Sequence, residues 1–304
     1  VAKAACAEMS RAHRYPDPRS TRLIGALRER YGDLPVAVGV GMDGIIETVI
    51  RTVVEPGETI AIATPTFSFY RLAAIAHGAA IREIPREPDF SLDPDRIVEE
   101  AGDARLTFIC SPNNPTGTTD PVPAIRSILD RIDGLLFLDN AYVEFSGTDY
   151  LPLLHESDRL VIGRTFSKAY ALAGLRVGYA FIPAWLEGPL SLAATPFTLN
   201  RVSEAAAVAM LGETEHLRRT VGHVHRWRER IADECPLPVI PSGANFVMVD
   251  VHPLTGDRAA AIFADQGVLV RSCSSFRGLE DRYIRVSVGE DWECERFLEA
   301  AAAI

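Results

Sequence analysis

Lysine is almost missing from this chain. Of 31 basic side chains only Lys3 and Lys168 are lysines, and a base composition that favours arginine codons accounts for that scarcity on the surface. It does not account for the interior lysine of Thr165-Phe166-Ser167-Lys168. Arginine stays protonated at working pH, whereas a desolvated lysine can lose its proton and act as a nucleophile. The five cysteines have no CxxC spacing, which argues against a zinc site or a disulfide framework and fits a reducing cytoplasm. No apolar run reaches the roughly 18 residues of a membrane span. Residues 1–10 lack the apolar stretch of a signal peptide and read as the inside of a helix, as if the start were truncated. Basic charge is also short: a net charge of −10 argues against nucleic acid, which needs a basic face, but not against cations that converge on a small anion. Internal repeats and low-complexity segments are absent.

At 304 residues the chain exceeds what one core usually holds, so two lobes are expected. Short runs that are apolar on both faces, at 59–63, 106–110, 135–138, 160–163 and 178–182, alternate with helical spacing at 44–54, 69–77 and 122–131. That alternation predicts an α/β domain on a mainly parallel sheet. Asp120 offers an N-cap for the third helix, and Pro121 suits its first turn. Beyond residue 200 the texture changes. Residues 201–234 read as one or two amphipathic helices. Strands at 245–251, 268–271 and 283–288, a helix at 257–266 and a terminal helix from Trp292 suggest a smaller βαβ-like α/β lobe. The expected division is an N-terminal segment 1–20, a large domain 21–200 and a small C-terminal domain 201–304.

Polar motifs fall at the ends of the predicted strands, where open α/β sheets bind ligands. Pro112-Asn113-Asn114-Pro115-Thr116-Gly117 follows the second run, Asp139-Asn140-Ala141-Tyr142 the third and Thr165-Phe166-Ser167-Lys168 the fourth. A carboxylate, a phenol, an amide, hydroxyls, a lysine and an arginine thus arrive at one sheet edge. These groups match what pyridoxal 5'-phosphate requires: a Schiff-base lysine, a carboxylate on the pyridine nitrogen, donors to the ring oxygen, an aromatic stacking partner and a hydroxyl-plus-arginine phosphate cup.

With those motifs in place, the chain resembles the fold-type I pyridoxal-phosphate aminotransferases of class I/II, most closely their histidinol-phosphate aminotransferase branch. The likeness runs from His13-Arg14-Tyr15-Pro16-Asp17 to Arg285-Val286-Ser287-Val288-Gly289. It implies an aspartate aminotransferase-like fold, with a seven-stranded, mainly parallel sheet flanked by helices and a smaller α/β domain. It also implies that Lys168 is the Schiff-base lysine and proton shuttle, that Asp139 pairs with the pyridine nitrogen, and that Tyr142 and Asn114 bond the ring oxygen. Phe67, in Pro65-Thr66-Phe67-Ser68-Phe69-Tyr70, falls where the family stacks an aromatic residue. Thr165, Ser167 and Arg176 hold the phosphate in this likeness, with backbone amides near Met42 and Asp43 at a helix start. Tyr15 matches a tyrosine that reaches the neighbouring subunit's phosphate, which implies a homodimer with shared active sites. Arg285 matches the clamp of the substrate α-carboxylate, and Arg271 is placed to serve a substrate phosphate.

Taken singly, each of these residues reads as well as a cap, a turn or a surface charge; their order and spacing favour the joint reading. Tyr70, Phe69 and Trp185 are read as packing, His77 and His155 as surface, and the cysteines as core. Three departures from the family pattern stand out: Asn140 where an acidic residue is usual, Gly41-Met42-Asp43-Gly44 where Gly-Ser-Asp-Glu is common, and Phe197 where the branch often has tyrosine. The family's substrate-closing arm has no counterpart before Val1. The implied reaction is ping-pong transamination between an amino acid, with glutamate as one amino pair, and a keto acid or imidazole-acetol phosphate. An aromatic aminotransferase is the alternative that Phe197 suggests, and a decarboxylase or lyase on the same fold is a further one.

Overall fold

The computed structural model describes residues 1–304. Its larger sheet has seven strands: β1 (Val36–Val40), β2 (Thr59–Thr64), β3 (Ala80–Pro85), β4 (Leu106–Cys110), β5 (Leu135–Asp139), β6 (Leu160–Thr165) and β7 (Val177–Phe181). They are ordered β1-β7-β6-β5-β4-β2-β3. The pairs from β3 through β6 are parallel, and β7 runs antiparallel to both β6 and β1. Both faces are covered. In β5, Leu136 and Leu138 join one core cluster while Leu135 and Phe137 join the other, as the two-residue period of a strand requires. The reversal of β7 positions the site: the register Val40↔Val177 brings its N-terminal end, and Arg176 just before it, to the edge where β1, β4, β5 and β6 end.

The helices expected at 69–77 and 122–131 form as Phe69–His77 and Val122–Arg131. The one expected from residue 44 begins at Gly41. Gly41 has φ +67, and a Cβ there would lie 2.6 Å from Arg176 Nη2, so glycine is needed where this helix start meets Arg176. Gly178 is equally constrained, because its Cβ would lie 2.4 Å from the Gly41 carbonyl carbon. Asp120 does not cap the Val122–Arg131 helix; Pro121 occupies the cap position. Asp120 instead forms a buried two-point ion pair with Arg86, at 3.0 and 3.1 Å, because the arginine at the end of β3 is itself fully buried and requires a counter-charge. Arg86 also donates to the carbonyls of Phe90 and Cys110, so it ties down both ends of the loop that carries Asn114. Arg86→Ala is expected to cost about 3–5 kcal/mol by stranding the buried carboxylate, read from urea unfolding; a loss under about 1 kcal/mol would show the pair to be dispensable.

Residues 201–234 form two helices, Arg201–Leu211 and Thr214–Glu234. The second sheet comprises β8 (Val239–Ile240), β9 (Phe246–Asp250), β10 (Arg271–Ser272) and β11 (Tyr283–Ser287), ordered β10-β11-β9-β8. All its neighbouring pairs are antiparallel, not the adjacent parallel strands of a βαβ unit. The strand expected at 268–271 is reduced to Arg271–Ser272, since the Val268 N–H bonds the Phe263 carbonyl and closes the preceding helix instead. Helices Gly256–Asp265 and Asp291–Ala301 cover this sheet around a core of its own. Residues Ala2–Met9 are helical, and no helix is long and apolar enough to cross a membrane.

Candidate active site

One cleft at the edge where β4, β5 and β6 end is lined by Met42, Asp43, Phe67, Cys110, Asn114, Asp139, Ala141, Tyr142, Thr165, Ser167, Lys168, Arg176 and Arg285. Strand ends, a helix start and the loops that directly follow the strands deliver most of these side chains. In a chain of net charge −10, the cleft sets Lys168, Arg176 and Arg285 against only Asp43 and Asp139, a local excess of positive charge that suits an anionic ligand.

One end is built to take an anion. Arg176 Nη2 pairs with Asp43 Oδ2 at 2.9 Å and Nη1 lies 3.4 Å from Ser167 Oγ. Thr165 Oγ1 donates to Ser167 Oγ at 3.0 Å and accepts from the Ser167 N–H. Met42 and Asp43 stand in the first turn of Gly41–Val53, where backbone N–H groups have no carbonyl of their own helix to bond.

The deep end holds a carboxylate. Asp139, at the end of β5, is buried and accepts from the Ala141 N–H at 2.9 Å and from the Tyr70 hydroxyl at 2.6 Å. Burial pushes its pKa up to about 6, and the Tyr70 hydrogen bond is the largest influence in the opposite direction. Tyr70, read from the sequence as packing, thus touches the carboxylate while its ring stacks on Phe108.

Lys168 lies in the loop after β6 and lines the cleft beside both ends. Burial, and after it the Arg285 charge, lowers its pKa, so the amine releases its proton more readily than a solvated lysine. Its Nζ is 5.3 Å from the centre of the Tyr142 ring. Tyr142 packs edge-on against Phe246, and burial raises its pKa, which keeps the phenol a proton donor. Arg285 reaches across from β11, donates from Nη1 to Asn114 Oδ1 and lies over Phe246, while its Nε is buried without a partner. With Asn114 Oδ1 engaged, Nδ2 is that side chain's remaining donor. Phe67 meets Tyr70 edge-on at 5.6 Å.

Two expected site residues lie outside this cleft. Tyr15 is 80% exposed, stacks on Phe197 at 4.7 Å, and has its carbonyl held by Arg201. Arg271 is exposed on the edge strand β10 and bonds Ser275, although it stands opposite Arg285 in the β10–β11 register. Asn140, the departure from the usual acidic residue, is buried and donates to the Ser111 carbonyl. Sequence reasoning missed Cys110 and Ala141 as lining residues; their positions beside the strand-end motifs were the available signal. Cys6, read as core, is exposed, whereas Cys110, Cys273 and Cys294 are buried. His77, read as surface, bonds the Val54 carbonyl.

A cation, two hydroxyls and a helix start form an anion cup, a buried carboxylate and a depressed-pKa lysine line the same cleft, and Gly41 lets the helix start approach Arg176. These residues fit pyridoxal 5'-phosphate.

The protein-family model "Aminotransferase class I and II" matches residues 1–300. A histidinol-phosphate aminotransferase from Methanoculleus marisnigri is 57% identical over 298 residues, covering 98% of this chain and 85% of that protein. One from Methanocorpusculum labreanum is also 57% identical, over 99% of this chain and 86% of that protein. Among solved structures, a histidinol-phosphate aminotransferase from Sinorhizobium meliloti, in complex with pyridoxal-5'-phosphate, superposes with a TM-score of 0.89 at 27% identity, covering 99% of this chain and 86% of that one. From the order of its strands to the residues that meet in the cleft, the chain belongs to the aminotransferase family of class I and II.

Proposed function

We propose that this enzyme is a pyridoxal-phosphate-dependent aminotransferase that exchanges an amino group between histidinol phosphate and its keto partner imidazole-acetol phosphate, with glutamate as the other amino pair, in histidine biosynthesis. The observation that carries this reading is the single cleft that joins a lysine of depressed pKa to an anion cup and a buried carboxylate. Relatives at 57% identity, both named histidinol-phosphate aminotransferases, support the substrate.

Pyridoxal 5'-phosphate, when bound, supplies an electrophilic carbonyl carbon and a protonated ring that draws electron density from the substrate Cα. Arg176, Thr165, Ser167 and the Met42 and Asp43 amides hold its phosphate. Asp139 would accept the pyridinium N–H, Asn114 and Tyr142 would donate to the ring oxygen, and Phe67 would supply the aromatic stacking partner. Lys168 would anchor the cofactor covalently and, as a free amine, would carry a proton between the substrate Cα and the cofactor's carbonyl carbon. Arg285 holds the α-carboxylate through its donors, and Arg271, its cross-strand neighbour, takes the substrate phosphate. Phe197 stacks on Tyr15 outside the cleft of its own chain.

The quaternary proposal is a homodimer in which Tyr15 reaches the other subunit's phosphate cup. The support is a tyrosine that is exposed, held by Arg201 and away from its own cleft. We place the enzyme in the cytoplasm on its five free cysteines. We propose the division at 1–20, 21–200 and 201–304 on the two sheets, the smaller with a core of its own, although Ala206, Ala207, Met210 and Leu211 pack into the core of the larger. A half-reaction screen by absorbance tests the substrate: glutamate and histidinol phosphate are expected to convert the cofactor-loaded enzyme to its aminated form. Conversion by aromatic amino acids, with histidinol phosphate inert, would overturn the assignment.

A further inference from the structure

We infer that Tyr70 is a positioning residue for the cofactor ring: its hydroxyl holds Asp139 in the ionised, oriented form that accepts the pyridinium N–H, and its ring braces the stacking face of Phe67. The inference rests on the proposed pairing of Asp139 with the pyridine nitrogen.

The geometry is specific. Tyr70 and Asp139 are both buried, and the phenol donates to Oδ2 at 2.6 Å while the Ala141 N–H occupies Oδ1. With one oxygen fixed by backbone and the other by the phenol, the carboxylate cannot rotate without losing a bond. The tyrosine is clamped in turn, stacked on Phe108 at 4.7 Å with the planes 6° apart and meeting Phe67 edge-on. Four groups besides burial act on the Asp139 charge. Tyr70 and the Ala141 N–H favour the anion most, Lys168 also favours it, and Asp43 opposes it. Cys110 and Tyr142 stand near as neutral acids, both with raised pKa values. Burial alone pushes Asp139 toward its neutral form, which cannot pair with a pyridinium as an anion; the phenol is the strongest opposing group. Tyr70 keeps its own proton, because burial and Asp139 both raise its pKa.

The test is a double-mutant cycle on the full chain, reading the dissociation constant of pyridoxal 5'-phosphate at pH 7 for wild type, Y70F, D139N and Y70F/D139N. A hydrogen bond to a charged group corresponds to roughly a tenfold or larger factor, so Y70F is expected to weaken cofactor binding about tenfold or more. In the D139N background the same substitution is expected to change it less than about twofold, because Tyr70 acts through the carboxylate charge. An equal loss in both backgrounds would reduce Tyr70 to packing and overturn the inference, as would unchanged binding by Y70F while D139N weakens it. Unchanged binding by D139N would overturn the Asp139 pairing itself, and the Tyr70 inference with it. A second reading needs no Tyr70 variant: infrared difference spectra between the wild-type and D139N apoproteins are expected to show a shifted tyrosine C–O stretch, and no tyrosine shift would overturn the inference.

Discussion

Lys168→Ala is expected to abolish turnover with every amino donor while the protein still binds pyridoxal 5'-phosphate reversibly. Proton transfer by a positioned base contributes a factor of about a hundred to ten thousand by itself, and the covalent anchor is lost as well. The remaining contacts of the cup, Arg176 with Thr165 and Ser167, and the Asp139 carboxylate at the far end do not depend on the lysine. Steady-state rates combined with equilibrium dialysis separate the two effects. Turnover within tenfold of wild type would place the base elsewhere. No second lysine can substitute, since Lys3 is exposed near the amino terminus.

Arg285→Leu is expected to lower kcat/KM for all amino and keto substrates by roughly two orders of magnitude, chiefly through KM, because charge-assisted contacts to a shared α-carboxylate are lost. The same substitution shifts the pH dependence. Burial and then the Arg285 charge lower the Lys168 pKa; without that charge the ammonium form is favoured again, so the fraction of neutral base at a given pH falls. The rising acid limb of the rate profile is therefore expected to move to higher pH. A profile that stays in place while kcat/KM drops would mean that Arg285 acts on substrate alone.

Elements whose boundaries carry their own chemical marks were legible in the sequence. The helix Phe69–His77 stops at Gly78, which takes the left-handed conformation, and Val122–Arg131 starts after Pro121. β4 and β5 read as strands because both of their faces are apolar. β1 and β3 were missed: neither is a continuous apolar run, since Gly39 interrupts β1 and the adjacent charges Arg82 and Glu83 interrupt β3 on the sheet edge. The cleft was legible for a different reason. Its motifs sit immediately after strands, so naming the strands names the edge where they converge.

The role of Tyr70 was hidden because its spacing on the Phe69–His77 helix suits core packing, and its hydroxyl meets a carboxylate 69 residues away. The tie between Arg86 and Asp120 was hidden likewise, since a capping reading satisfied Asp120 locally. Tyr15 and Arg271 were legible only through the resemblance, since neither belongs to a strand-end motif of the cleft. One stands away from the cleft of its own chain and the other beyond its rim, on a neighbouring strand.

The central claim is that Lys168 is the amine that captures the cofactor, and borohydride trapping tests it most directly. The protein is mixed with pyridoxal 5'-phosphate, reduced, digested and mapped by mass spectrometry. A shift in absorbance on mixing, followed by a pyridoxyl-phosphate adduct on the peptide carrying Lys168 and none on Lys3, is the expected result. No absorbance change, or a label confined to Lys3, would contradict the account.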